Sequence, residues 1–254
     1  MRSWNIGFDL GMLNNRLTVS FDWFNRKTIN MVGPAPELPV TLGANVPKMN
    51  NADMQSTGFE LDLGWRDRIK DFDYSVHLLL SDDRQKILKY PNTTGKINTW
   101  YVGKYNGDIW GFETIGIAKS QEEMDAHLAS LPNGGQDALG VKWGAGDIMY
   151  RDLNGDGKIS DGATLNDPGD KKVIGNTSPR FRFGLDLNAS WKGIDVRLFF
   201  QGVAKRDAWL NDNMFWGATG GIWQSACFTS HLDFFREEGD DFWSANKDAY
   251  FPRI

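Results

Sequence analysis

A segment rich in Asp, Asn and Gly carries the clearest signal for chemistry in this sequence. It runs from Asp152 to Asp161 and reads DLNGDGKISD. Side-chain oxygens stand at its first, third, fifth and ninth positions, and Gly stands at the sixth. This spacing is typical of an EF-hand-type calcium loop, in which a hard cation collects carboxylate and carbonyl oxygens. The predicted calcium ligands are Asp152, Asn154, Asp156, the backbone oxygen of Lys158, Ser160 and Asp161.

This segment departs from a complete EF-hand. The twelfth position is Ala163 instead of the bidentate Glu, and no amphipathic helix flanks the segment, so a calcium sensor is excluded. An ion would need Asp161, Asp167 or Asp170 to complete its coordination. The alternative is a turn rich in Asx residues and Gly that closes without metal. Both interpretations remain open, and structural calcium is the only cofactor that the sequence suggests.

Aromatic residues in the long connecting segments are a second candidate site. Exposed Trp and Tyr rings provide stacking surfaces for sugars and anchors for protein partners. The predicted substrate-binding or partner-binding residues are Trp100, Tyr101, Trp110, Trp143, Trp209 and Trp216. Packing of the connections on one another would explain the same residues.

Other kinds of site find little support. The three His residues are far apart in sequence, and nucleophile-elbow, Walker and Rossmann motifs are missing, so we expect no enzyme activity. A single Cys, Cys227, excludes an intrachain disulfide. A net charge of -5 argues against a nucleic-acid partner.

The elements that must position these residues show a period of two. Apolar side chains alternate with polar ones, as in Trp4, Ile6, Phe8 and Leu10, and the pattern predicts antiparallel hairpins at about 3–27, 58–80 and 180–201. Long loops are predicted at about 28–57, 81–179 and 202–254. A capping box at Ser120 predicts one short helix within the second loop.

The strand pattern is compatible with two all-β architectures. Strands of about 9–11 residues, Trp at strand ends, short turns within pairs and long loops between pairs favour a transmembrane β-barrel. A soluble sandwich, with the apolar faces as its core, is the alternative.

Several segments together resemble the C-terminal barrel portion of SusC/RagA-type TonB-linked outer-membrane receptors. They are WNIGFD at 4–9, LNNRL at 13–17, FNRKT at 24–28, GFEL at 58–61, GDIMYRDLNGDGKI at 146–159, VIGN at 173–176 and FFQGV at 199–203. Each segment alone is weak evidence for the family. The combination is specific, because the segments occur in the same order as in the family along almost the whole chain. The resemblance strengthens the prediction of an antiparallel transmembrane β-barrel segment, part of a 22-stranded barrel with long extracellular loops.

The resemblance also implies a function. Such receptors import glycans or oligopeptides across the outer membrane of Gram-negative, Bacteroidetes-like bacteria, with a SusD-like surface lipoprotein as partner and TonB acting through an N-terminal plug. We expect residues 1–254 to be a fragment of such a receptor, without the plug, lying against outer-membrane lipid and unable to transport alone. The competing hypothesis is a secreted all-β glycan-binding module with a structural calcium loop.

Overall fold

The computed structural model of the chain describes residues 1–34, 47–210, 215, 228–239 and 244–253. Six long strands form one antiparallel sheet in the order β1-β2-β3-β4-β9-β10. Their bounds are β1 Arg2–Met12, β2 Leu17–Gly33, β3 Met49–Ile69, β4 Phe72–Lys89, β9 Arg180–Trp191 and β10 Ile194–Lys205. The shorter elements are β5 Asp108–Phe112, β6 Thr114–Ile117, α1 Gln121–Ala129, β7 Ile148–Tyr150 and β8 Lys171–Asn176. The predicted all-β antiparallel fold is confirmed.

The turns of the three hairpins follow from local backbone chemistry. Asn14 and Asn15 adopt positive φ angles of 57° and 61° between β1 and β2, a conformation that Asn tolerates better than most residues. Lys192 and Gly193 also have positive φ, as the tightest hairpin turns require, so two residues suffice between β9 and β10. Two residues also separate β3 from β4, in agreement with the short turns predicted within the hairpins.

The strands extend beyond the predicted hairpins. β2 continues to Gly33, β3 begins at Met49, and β4 continues to Lys89, so the loops predicted at 28–57 and 81–179 are shorter than expected. The reason is that backbone pairing continues where apolar alternation ends: Lys27 still pairs with Gln55, and Gln55 with Lys86. Hydrogen bonds of a β-ladder do not depend on side-chain polarity.

The sheet has one apolar and one polar face. Paired residues project to the same side, so Phe8, Phe21, Leu61, Leu80 and Phe183 form one apolar row across five strands. Ring centroids of Phe8 and Phe21 are 5.6 Å apart. The large apolar side chains of β1 on this face are exposed, Trp4 by 73%. This exposure argues against the sandwich.

The chain consists of two compact units, Met1–Asp108 with Gly175–Ala208, and Ile109–Ile174 with Trp209–Ile254. The first contains the six-stranded sheet. The second is built around Ala118, Met124 and Met149, with Leu128 and Trp143 packed against them. Its helix α1 begins at the predicted cap, because the Ser120 hydroxyl accepts the Glu123 backbone N–H at 3.2 Å. Among the described residues, no helix has the length and apolar character needed to cross a membrane.

Candidate functional site

The predicted calcium loop folds as a series of turns that its own side chains stabilise. One carboxylate oxygen of Asp152 accepts the N–H of Gly155 at 2.6 Å, and the other accepts the N–H of Gly157 at 2.8 Å. Asn154 Oδ1 accepts the N–H of Asp156 at 2.9 Å, and the Asp156 carboxylate accepts the N–H of Lys158 at 3.1 Å. These contacts are Asx turns, which short polar side chains form readily.

Both Gly residues of the loop have a conformational reason to be there. Gly155 and Gly157 have φ angles of 74° and 77°, which residues with a Cβ rarely adopt. The hydrogen bonds that these two glycines donate also hold Asp152 in its charged form. Burial alone would raise the pKa of Asp152, but the N–H groups of Gly157 and Gly155 outweigh it, and the pKa lies below its usual value of 3.8.

Asp170 closes the loop from outside the predicted ligand set. Its side chain is fully buried, and Oδ1 accepts the N–H of Leu153 at 2.8 Å. Oδ2 accepts the N–H of Ser160 at 2.7 Å and its hydroxyl at 3.2 Å. Asp170 thus connects the two ends of the segment. The sequence suggested Asp170 only as a residue that could complete a metal shell, whereas in the structure it accepts hydrogen bonds from backbone N–H groups.

The acidic residues of the predicted calcium site have hydrogen-bond or ion-pair partners within the chain. Across the described ranges, no group of three or more His, Cys, Asp or Glu side chains is arranged to hold a metal ion. Asp161 forms an ion pair with Lys171, and the oxygens of Asp152 and Asp170 accept backbone hydrogen bonds. The arrangement supports the alternative of a turn that closes without metal, and calcium binding remains a prediction.

The predicted aromatic residues are distributed over several local environments. Trp100 is half-buried, with its ring centroid 5.6 Å from that of Tyr90. Trp143 packs on the core of the second unit, and its indole N–H donates to the Gly140 carbonyl at 3.2 Å. Tyr101 and Trp110 are half-buried, and Trp209 is 60% exposed. Trp216 lies outside the described residues. Packing therefore accounts for Trp100 and Trp143, and Trp209 is the most exposed of the predicted aromatic residues that the structure describes.

One buried cation was missed by the sequence analysis. Lys104 is only 7% exposed, and its ammonium group donates to the carbonyls of Ile97 and Thr99 at 2.9 and 3.0 Å. The nitrogen also lies 5.3 Å from the ring centroid of Tyr101. Burial lowers the pKa of Lys104, although the nearby Asp108 carboxylate opposes this effect. The alternation analysis could not find it, because an isolated Lys in a loop has no distinguishing sequence pattern.

The polar face of the sheet carries paired charges. Arg182 pairs with Asp83 at 2.7 Å, and Arg197 donates from Nε to both oxygens of Asp186 at 3.1 and 3.0 Å. His77 lies on the same face, with Nε2 2.6 Å from the Asp62 carboxylate. Charged side chains retain hydration on such a surface, so this face suits a water-filled channel or another aqueous surface.

Comparison with known proteins identifies the family. A family model described as "TonB dependent receptor-like, beta-barrel" matches residues 1–208. TonB-dependent receptor P3 of Formosa agariphila is 26% identical over 211 residues, which is 78% of this chain and 19% of that protein. TonB-dependent receptor SusC of Bacteroides thetaiotaomicron is 25% identical over 204 residues, or 76% of this chain and 18% of that protein. The chain thus spans about a fifth of the length of these curated relatives.

A solved structure shows the same fold. The structure of the RagAB peptide transporter superposes with a TM-score of 0.66 at 22% identity, over 99% of this chain and 25% of that one. This likeness concerns the fold, whereas the family model concerns sequence, and the two agree. The resemblance inferred from the sequence is thereby confirmed: the chain belongs to the TonB-dependent receptor-like β-barrel family.

Proposed function

We propose that this chain is part of a TonB-dependent importer that takes up glycans or oligopeptides in the outer membrane of a Gram-negative bacterium. The family resides in that membrane and consists of receptors and transporters. The observation that carries the proposal is the sheet itself, which exposes a continuous apolar face on one side and a charged, hydrated face on the other. A membrane barrel uses both faces in this way.

The height of the apolar face matches a bilayer. On β9 it runs from Phe181 to Trp191, which is ten steps along the strand. At about 3.3 Å per residue and a tilt of about 40°, those steps rise by about 25 Å, the height of the apolar band on outer-membrane barrels. Trp23 and Trp191 lie near opposite ends of this face, as interfacial aromatic residues do.

The partners and the substrate class belong to the same proposal. One similar structure is described as a peptide transporter, and one relative is named SusC, so peptides and glycans are both candidate cargoes. We propose that a SusD-like lipoprotein covers the assembly, that TonB acts through the plug region of the longer protein, and that the long loops contribute to docking and capture. Trp209 is the exposed aromatic side chain that we assign to capture.

Uptake measurements test this proposal. A strain lacking the protein should fail to accumulate a labelled glycan mixture or labelled oligopeptides, and collapse of the proton gradient should abolish uptake in the wild type. The variant Trp209→Ala should reduce uptake of the cargo. Trp191→Ala is the matched control, because Trp191 is 51% exposed but lies on the apolar face, where it should not meet cargo.

Two results would contradict the proposal. Recovery of the wild-type protein in the soluble fraction without detergent would exclude a membrane barrel. Uptake that is unchanged in the deletion strain for both cargo classes would exclude import. Cross-linking followed by identification of a surface lipoprotein tests the partner separately.

A further inference from the structure

The apolar face of the sheet changes character at one end. Beyond the row that contains Trp23 and Phe59, the next rows on the same side carry cations. The first of these rows contains Arg84, together with Trp4, Asn25 and Thr57. The second contains Lys86, together with Arg2, Lys27 and Gln55. Because paired residues share a side of the sheet, these cations lie on the lipid-facing surface, directly beyond its apolar part. We call Arg2, Lys27, Arg84 and Lys86 the basic patch.

The basic patch borders a concave site. A cavity of about 470 Å³ is lined by apolar Trp23 and Phe59 at one side and by Arg84, Lys86 and Arg180 at the other. The Tyr105 ring also lines it and positions the cations: the Arg84 guanidinium lies 4.6 Å and the Lys86 ammonium 5.8 Å from the ring centroid. Arg84 and Lys86 are both exposed.

The charge of the site is positive. Asp82 is the carboxylate that lines the cavity, and Arg180 donates to both of its oxygens. Asp82 also attracts Arg84. Within the described ranges, however, no ion pair within 4.0 Å involves Arg2, Lys27, Arg84 or Lys86. The site therefore has spare positive charge for an anion that contacts apolar surface at the same time.

We propose that the basic patch binds the phosphate of anionic lipid headgroups at the edge of the bilayer. This inference rests on the membrane location in the proposed function. A lipid fits better than a soluble anion, because its acyl chains would continue onto the apolar rows that begin at Trp23 and Phe59 while its phosphate meets Arg84 and Lys86. The two-residue turn between β3 and β4 marks one end of the sheet, and the patch lies at the other end. In outer-membrane barrels the short turns are periplasmic, so the patch lies at the external end. The occupant is thus a lipid of the outer leaflet.

Lipid competition in nanodiscs tests this inference. The protein is inserted into nanodiscs made from equal amounts of phosphatidylglycerol and phosphatidylcholine, and the lipids that remain bound after extraction are quantified by native mass spectrometry. We expect phosphatidylglycerol to be enriched on the wild type. Each juxtamembrane cation contributes roughly fivefold to such binding, so Arg84→Gln should reduce the enrichment about fivefold, and addition of Lys86→Gln should reduce it further by a similar factor.

Arg26→Gln is the matched control. Arg26 is exposed on the opposite face of the sheet, and its guanidinium also lies 4.6 Å from the centroid of an aromatic ring, that of Phe24. It should leave the enrichment unchanged. Heat-modifiable electrophoretic mobility checks that each variant is folded, and a second variant, Lys86→Gln alone, provides an independent measurement if Arg84→Gln fails to fold.

The outcomes separate this inference from the proposed function. Failure of the folded wild-type protein to insert into nanodiscs would overturn both. Insertion without enrichment of phosphatidylglycerol, or equal losses in Arg84→Gln and Arg26→Gln, would overturn the lipid site alone. Complete displacement of the lipid by inorganic phosphate at low concentration would also overturn it, since a soluble anion would then suffice.

Discussion

Replacement of Asp170 by Ala should open the Asp-Gly loop locally while leaving the sheet intact. Asp170 is fully buried and accepts the backbone N–H groups of Leu153 and Ser160. Its removal leaves both donors without a partner in a partly buried place, and each such donor costs about 1–3 kcal/mol. Both hydrogen bonds are only partly shielded from solvent. We therefore expect the two costs together to destabilise the loop by about 3 kcal/mol, near the lower end of the combined range.

Amide hydrogen exchange measures this effect where it occurs. Since about 1.4 kcal/mol corresponds to a tenfold change, the amides of Leu153 and Ser160 should exchange about a hundredfold faster in Asp170→Ala. Asp170→Asn keeps one acceptor oxygen and should give a smaller increase. Asp161→Asn is the control: its ion pair with Lys171 is partly exposed, and such pairs contribute about 0–1 kcal/mol. Unchanged exchange in Asp170→Ala, or an equal increase in Asp161→Asn, would refute the role assigned to Asp170.

Four further predictions concern other parts of the chain. Lys104→Met should leave the carbonyls at 97 and 99 without their donor and make this loop more sensitive to limited proteolysis; unchanged cleavage would contradict this. Because its pKa is lowered, the charged form of Asp152 stabilises the loop above pH 3.8. Protection factors there, which correct for the intrinsic pH dependence of amide exchange, should therefore fall as pH drops below that value, and Asp152→Asn should remove this decrease. Calcium should slow exchange in the same loop if it binds, and no difference between calcium and chelator would favour the metal-free turn. Gly58→Ala should reduce the yield of folded protein, because a Cβ at this position would lie 2.7 Å from the ring of Phe24. Gly116→Ala is the control, because a Cβ there would meet no atom within 4 Å.

The strands were predictable because their signal is repeated. Alternation recurs over many residues, so the faces of β1, β9 and β10 could be assigned from sequence, and the helix at Ser120 followed from its cap. Strand ends were not predictable in the same way. Lys27 and Gln55, for example, pair through the backbone ladder, and their side chains carry no periodic apolar signal.

The candidate site was predicted less completely, for a different physical reason. A calcium loop and a chain of Asx turns require the same Asp, Asn and Gly residues, so composition cannot separate them. The structure adds the contacts that composition cannot give: the oxygens of Asp152 accept the N–H groups of Gly155 and Gly157, and those of Asp170 accept the N–H groups of Leu153 and Ser160. Lys104 could be recognised as buried only after the loop around it was placed.

The basic patch shows most clearly what register adds to a sequence. Arg2, Lys27 and Lys86 are separated by many residues, and each is an ordinary surface cation when considered alone. Pairing of β1 with β2, β2 with β3 and β3 with β4 brings them into one row. The same pairing places the row beyond Trp23, where an apolar surface of about bilayer height ends. A charge that alternation assigns to the lipid-facing side would be costly within the hydrocarbon, but it is favourable at the headgroups. Register therefore shows that three cations far apart in sequence share one surface, at the depth where we propose that anionic lipid headgroups bind.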